Sequence, residues 1–249
     1  MNKLLAIIPS RYESTRFPGK PLALINGKEM IMWVYDAVEK SNIFSQVYVA
    51  TDNEKIFNLV QSKGAKAIMT SKDLSCGTER CNQALSILED KGERFDIVIN
   101  IQGDEPLINK EQIEKVVEGF EQKNSQIVTL VKAIDKKEDV IDSNVVKVVC
   151  SNKRAIYFSR SVIPFNREKT IEELIKDKRY YKHIGIYGYR TEVLHEITKL
   201  KESNLEQIEK LEQLRWLENG YNIIVNETNI DTIGVDTPQD LENINKIIK

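Results

Sequence analysis

Asp96-Ile97-Val98-Ile99-Asn100-Ile101-Gln102-Gly103-Asp104-Glu105-Pro106 is the stretch on which the fold turns. Residues 96–101 give a nearly unbroken apolar run, the pattern of a parallel strand buried on both faces. Gly103 and Pro106 then end it and start a polar loop. Upstream, residues 4–8 form a second such run, and residues 47–50 and 67–69 are shorter ones. Between them lie segments of helical period. Residues 30–40 place Ile31, Val34, Tyr35 and Val38 on one face. Residues 53–63 end at Gly64, residues 78–90 end before Gly92, and residues 110–122 are helical again. Strand alternating with helix predicts an α/β fold with a mostly parallel sheet covered on both faces.

Downstream the pattern changes. Residues 127–134, 145–150, 154–158 and 183–189 read as strands with no long helix between them, and Ser151-Asn152-Lys153 reads as a hairpin turn. This predicts an antiparallel insertion over 131–190 within a core of 1–130 and 191–249. A helix over 205–219, a strand over 221–225 and a closing helix over 238–248 complete the reading. Residues 172–179 are charged and expected to be exposed.

The bulk properties narrow the function. The chain has 249 residues, 41% hydrophobic and 30% charged, enough to build a core without disulfides or structural metals. Its formal net charge of -2 lacks the basic excess of a nucleic-acid binder, so no nucleic-acid partner is expected. The three cysteines include no CxxC pair and fit a reducing cytoplasm. Residues 1–9 are too short and too soon broken, by Pro9 and Arg11, for a signal peptide, and no run is long enough to span a membrane.

Three polar groupings stand where a parallel sheet binds ligands, beyond the carboxyl ends of its strands. The first is Arg11, Arg16 and Lys20, after the first strand. Three cations on one loop repel one another unless they face an anion such as a triphosphate; a solvated basic loop is the plain alternative. The loop is not a Walker motif, and no Gly-x-Gly-x-x-Gly follows the strand. The second is Gln102-Gly103-Asp104, where a carboxylate suits Mg²⁺, an ion held by one or two protein carboxylates together with phosphate oxygens. Asp236 offers a second carboxylate or, equally, a helix cap before Pro238, a role open to Thr237 as well. The third is Ser75-Cys76-Gly77-Thr78-Glu79-Arg80, which suits a base or ribose at a helix start, or is a helix start and nothing more. In the insertion, Arg160, Arg167, His183 and Tyr187 form a polar set. His183 is one of only two histidines, and a lone histidine is more often structural than catalytic. Glu212 and Gln213 are ordinary helix-surface residues unless the fold turns them inward.

Taken together, these stretches resemble the 3-deoxy-manno-octulosonate cytidylyltransferase family. The resemblance runs through Ile8-Pro9-Ser10-Arg11-Tyr12, Ser14-Thr15-Arg16-Phe17-Pro18-Gly19-Lys20-Pro21-Leu22, Val49-Ala50-Thr51-Asp52, Gly77-Thr78-Glu79-Arg80 and Gln102-Gly103-Asp104-Glu105-Pro106. It continues through Tyr157-Phe158-Ser159-Arg160, residues 183–190, Leu211-Glu212-Gln213-Leu214-Arg215 and Gly234-Val235-Asp236-Thr237-Pro238, nearly the whole chain in order. It implies a nucleotide-diphospho-sugar transferase-like core and a homodimer formed through the inserted sheet. The implied reaction moves CMP from CTP to an acidic eight-carbon sugar for lipopolysaccharide synthesis. By the same resemblance Arg11, Arg16 and Lys20 bind the CTP phosphates, and Thr78 and Arg80 lie beside the cytidine. Asp104 and Asp236 hold magnesium; Gln102, Arg160, Arg167, His183, Tyr187, Glu212 and Gln213 bind the sugar. Ser10, Cys76 and Phe165 depart from the usual Ala, Ser and Trp, and the last leaves an 8-amino analogue of the sugar as an alternative. A glycosyltransferase on a similar core is a further alternative, but it would carry Asp-x-Asp where this chain has Gln102-Gly103-Asp104-Glu105.

Overall fold

A computed structural model describes residues 2–13, 17–122 and 124–248. In chain order the elements are β1 (Leu4–Ser10), β2 (Leu24–Ile25), β3 (Lys28–Glu29), α1 (Met30–Lys40), β4 (Gln46–Thr51), α2 (Glu54–Ser62), β5 (Ala67–Met69), α3 (Gly77–Asp90), β6 (Ile97–Asn100) and α4 (Lys110–Glu118). They continue with β7 (Ile127–Ala133), α5 (Lys137–Ile141), β8 (Lys147–Ser151), β9 (Arg154–Ser159), α6 (Ile171–Lys176), β10 (Tyr181–Arg190), α7 (Thr191–Ile197), α8 (Asn204–Glu209), α9 (Gln213–Glu218), β11 (Ile223–Glu227) and α10 (Pro238–Ile247). The chain divides into two compact units: residues 1–111, 190–198 and 232–249 in the first, and 112–189 with 199–231 in the second.

In the first unit the strands run β5-β4-β1-β6, all parallel. Strand β1 has a parallel neighbour on each side, in the registers Ile8↔Val49 and Ile7↔Asn100, and α1 and α3 pack against it. Its residues Leu5, Ala6, Ile7 and Ile8 are fully buried, which is why its sequence does not alternate. Helices α1, α2 and α3 pack on these strands. A separate core of Ile25, Met30, Val235 and Ile244, joined by Phe17, Trp33, Leu107 and Leu241, binds the segment after β1 to the C-terminal segment.

The second unit follows other rules. Strand β7 pairs antiparallel with β10 and parallel with β11; β9 pairs antiparallel with β11 and β8. Strand β8 also pairs with β10, so the five strands close on themselves and hide most of their edges. Asn152 and Lys153, at φ 51° and 60°, make the expected tight turn between β8 and β9. The expectation of a mostly parallel sheet is corrected here: only the first unit's pairings are all parallel, and the strands as a whole are mixed. Hydrophobic periodicity tells a buried strand from a half-buried one but not which way it runs, so the parallel β7–β11 pair had no signature. The helix expected over 205–219 is also corrected. It is two short helices, because Lys210 adopts the left-handed conformation at φ 54° and ends α8. The charged stretch expected to be merely exposed contains α6, started by a capping box between Thr170 and Glu173.

Candidate active site

In the first unit a cleft of about 410 Å³ opens beyond the carboxyl ends of β1 and β6. Pro9, Ser10, Arg11, Lys20, Gly77, Arg80, Gln102, Gly103, Asp104 and Asp236 line it. Gly103 is required by closeness: a Cβ there would stand 2.9 Å from the Pro9 carbonyl oxygen, so only glycine lets the loop after β6 approach the end of β1 this closely.

Lys20 is the centre of the cleft's charge. Its ammonium Nζ lies 2.6 Å from Asp104 Oδ2 and 3.2 Å from Asp236 Oδ1. Two carboxylates 132 positions apart in the chain therefore share one cation. Asp236 is placed by its neighbour: the Val235 N–H donates to the Asp104 carbonyl at 2.9 Å, and Val235 is anchored in the apolar core described above. Of the two roles open to Asp236, the cap falls to Thr237, which forms a capping box with Asp240, while the Asp236 N–H donates to Asp240 Oδ2. The Asp236 carboxylate is left to face Lys20.

Glu105, next to Asp104, is buried, and burial together with the Asp104 charge pushes its carboxyl up to about 8. It is mostly a neutral acid at pH 7. Arg80 is fully buried on α3. Its Nη2 donates to Asp52 Oδ2 at 2.9 Å and its Nη1 to Thr70 Oγ1 at 2.5 Å, and burial lowers its pKa against the opposing pull of Asp52. Asp52 was missed as a functional residue by the reading of the sequence. Its position at the carboxyl end of β4, beside the cleft's sheet, was the available signal. Arg11 donates through Nη1 to the Ser75 carbonyl at 3.2 Å. Thr78 is buried in α3 but does not line the cleft. Arg16 lies outside the described residues.

The second unit holds the other expected residues. A bulge in β10 between Ile184 and Tyr187 frees backbone carbonyls, and Thr129 Oγ1 meets Ile186 O at 2.8 Å. The same hydroxyl lies 3.0 Å from His183 Nε2. A hydroxyl that donates to a carbonyl can only accept from the ring, which assigns His183 the Nε2–H tautomer and leaves Nδ1 an acceptor. His183 packs edge-on to Phe158 with centroids 5.4 Å apart, and Tyr187 packs edge-on to Trp216 at 5.2 Å. Tyr187 is buried, and burial raises its pKa well above the ordinary phenol range. Gln213 is buried, so the fold does turn this residue inward; Glu212 directly precedes α9 and makes no side-chain cap hydrogen bond there. Arg160 is half-buried, with Nε donating to the Glu209 carbonyl and Nη1 to the Ser143 carbonyl. Arg167 is exposed, no hydrogen bond or ion pair among the described residues ties it to Arg160, and Phe165 nearby is 86% exposed.

Burial lowers the His183 pKa from its ordinary 6.5 to about 4. Its contribution to stability has a definite sign. The unfolded imidazole takes up its proton first, so stability is complete above pH 6.5 and falls as pH drops from there towards 4, by about 3 kcal/mol in all. Thermal melts across that window are expected to show the fall, and His183→Gln is expected to flatten it. Equal slopes in the two proteins would overturn the assignment of a neutral ring.

The cytidylyltransferase family profile matches residues 5–228. A 3-deoxy-manno-octulosonate cytidylyltransferase of Bacteroides thetaiotaomicron is 51% identical, over 99% of this chain and 98% of the relative. One from Thermodesulfovibrio yellowstonii is 48% identical over 98% and 97%. Among solved structures, CMP:2-keto-3-deoxy-manno-octonic acid synthetase complexed with CTP superposes with a TM-score of 0.90 at 40% identity, covering 99% of this chain and 98% of that one. A glucose-1-phosphate thymidylyltransferase from Bacillus anthracis shares the fold, with a TM-score of 0.61 at 19% identity over 98% and 94%.

Proposed function

The chain belongs to the 3-deoxy-manno-octulosonate cytidylyltransferase family, and from that premise we propose that it transfers CMP from CTP to 3-deoxy-D-manno-octulosonate, releasing pyrophosphate. The observation that carries the reading is the meeting of Asp104, Asp236 and Lys20 at the carboxyl edge of a parallel sheet. The sugar's C2 hydroxyl attacks the α-phosphorus of CTP while the bond to the β-phosphate breaks. Such a reaction depends mainly on positioning and charge neutralisation. Arg11 and Lys20 supply positive charge to the phosphates; Arg80, fixed by Asp52, faces the nucleoside; and Arg160 takes the sugar's carboxylate. No histidine among the described residues lines the cleft.

A divalent cation fits these residues. Two carboxylates already converge on one positive charge, and the donor set is all oxygen, as magnesium prefers. Asp104 and Asp236 would hold it. When bound, it neutralises phosphate charge and lowers the pKa of the attacking hydroxyl. The cytoplasmic setting and a homodimer belong to the same reading. Three free cysteines support the first, and the exposed Ile156 and Phe165 of the second unit support the second. No helix among the described residues is long and apolar enough to cross a membrane.

The test is pyrophosphate release from CTP across a panel of sugars: 3-deoxy-D-manno-octulosonate, its 8-amino analogue, other sugar acids and sugar phosphates. Turnover with the first is expected, and turnover confined to a sugar phosphate would overturn the reading. Arg160→Lys is expected to raise the KM for the sugar about tenfold or more with the KM for CTP unchanged, since a lysine cannot make the bidentate contact. An unchanged sugar KM would remove Arg160 from the site.

A further inference from the structure

The second unit contains two polar groups that no step of the reaction uses, and both are spent on Arg160. The first is Glu209, the last residue of α8. Its Oε1 accepts from Ser159 Oγ at 2.6 Å, and its Oε2 accepts from the Arg160 backbone N–H at 2.9 Å. Its own carbonyl accepts from Arg160 Nε at 2.9 Å. One residue thus holds both the main chain and the side chain of Arg160. The left-handed Lys210 ends the helix directly after Glu209, which leaves that carbonyl free to turn to the guanidinium.

The second is Lys147, fully buried at the start of β8. Its ammonium has three donors, and three carbonyls meet them: Asp142 at 2.7 Å, Val145 at 2.7 Å and Arg160 at 2.6 Å. Buried lysines normally sit beside a carboxylate; among the described residues this one donates only to backbone carbonyls, with the Asp142 and Glu209 carboxylates acting on it at longer range. It fastens the 142–145 loop to the carbonyl of Arg160, and the same loop supplies the Ser143 carbonyl that accepts from Arg160 Nη1 at 3.0 Å. Lys147 also had a mark in the sequence: it interrupts the apolar run Val145-Val146-Lys147-Val148-Val149.

Among the described residues, these contacts take two of the five guanidinium N–H groups, which leaves the Nη2 pair and one Nη1 hydrogen for a ligand. An arginine fixed at its amide, its carbonyl and two of its side-chain donors has little rotamer freedom left to lose on binding. A cage this complete is more than folding requires of a half-buried arginine, which water would otherwise satisfy.

We propose that Glu209 and Lys147 are positioning residues for the sugar-acid subsite, holding the Arg160 guanidinium with its free edge oriented to receive a carboxylate. The proposal rests on the assignment of Arg160 to the sugar acid made above, and its test separates the two. Steady-state kinetics are measured for Arg160→Lys, Glu209→Gln, Lys147→Met and the Arg160→Lys/Glu209→Gln pair. Glu209→Gln is expected to raise the KM for the sugar acid about tenfold, with kcat and the KM for CTP within about twofold of the parent. Glu209 and Arg160 should not add, so the double variant should resemble Arg160→Lys.

A role in stability alone would reduce the active fraction, lowering apparent kcat for both substrates while leaving both KM values in place; that result would overturn the proposal. Should Lys147→Met fail to fold, Glu209→Gln and the conservative Glu209→Asp carry the test, with partial recovery of the sugar KM expected in the latter. If Arg160→Lys raises the sugar KM and Glu209→Gln does not, the positioning role falls and the Arg160 assignment stands. If Arg160→Lys itself leaves the sugar KM unchanged, both fall.

Discussion

Asp104→Ala is expected to reduce kcat for pyrophosphate release by at least ~10²–10³, the usual cost of losing one electrostatic contact to the reacting group. Asp104 sits at the end of the most buried strand, its carbonyl is fixed by the Val235 N–H, and its carboxylate faces Lys20 and the cleft. The neighbouring acid supplies the control. Glu105 is raised to about 8 by burial and the Asp104 charge, so it is mostly neutral at pH 7 and a poor substitute for Asp104. Glu105→Gln, which keeps the shape of that neutral acid, should retain most of the turnover. Near-parental activity in Asp104→Ala would exclude it as an essential group, whatever the behaviour of Glu105→Gln.

The second large effect is expected for Lys20→Met. Lys20 has two jobs, and removing it exposes both. For catalysis, the phosphates lose a cation held at the floor of the cleft, and kcat/KM for CTP should fall ~10²–10³. For the resting protein, Asp104 and Asp236 are left facing each other with no positive charge between them, and like charges so close are unfavourable. The variant should therefore melt at a lower temperature than the parent without divalent ions. Added Mg²⁺ should raise its melting temperature more than it raises that of the parent, because the ion restores what the ammonium supplied. A variant that turns over normally and does not respond to Mg²⁺ would show that the two carboxylates are not a cation site.

Much of this was legible in the sequence. The run ending at Ile101 and the loop Gln102-Gly103-Asp104 announced a buried strand and a polar loop, and both are where they were expected. Lys20, Arg80, Gln102, Asp104 and Asp236, each singled out in the sequence, line one cleft. What could not be read depends on the course of the backbone in three dimensions. Nothing in Glu209-Lys210-Leu211 announces a left-handed lysine, so the helix looked continuous. Strand direction in the second unit is set by which segments return beside β7, and side-chain alternation does not encode it. The ion pair of Asp52 with Arg80 joins the end of β4 to α3, two places whose separation in sequence hides their closeness.

Lys20 and Asp236 touch across 216 positions of chain. Protein synthesis runs from the amino end, so the sheet, the basic loop and Asp104 all leave the ribosome before the segment bearing Asp236 exists. A nascent chain halted at residue 231 would own the whole of the second unit yet only half of the acidic pair. Activity in this architecture should therefore switch on late and abruptly during translation, when α10 docks its apolar face against Ile25 and Met30, rather than accumulate as each strand is added.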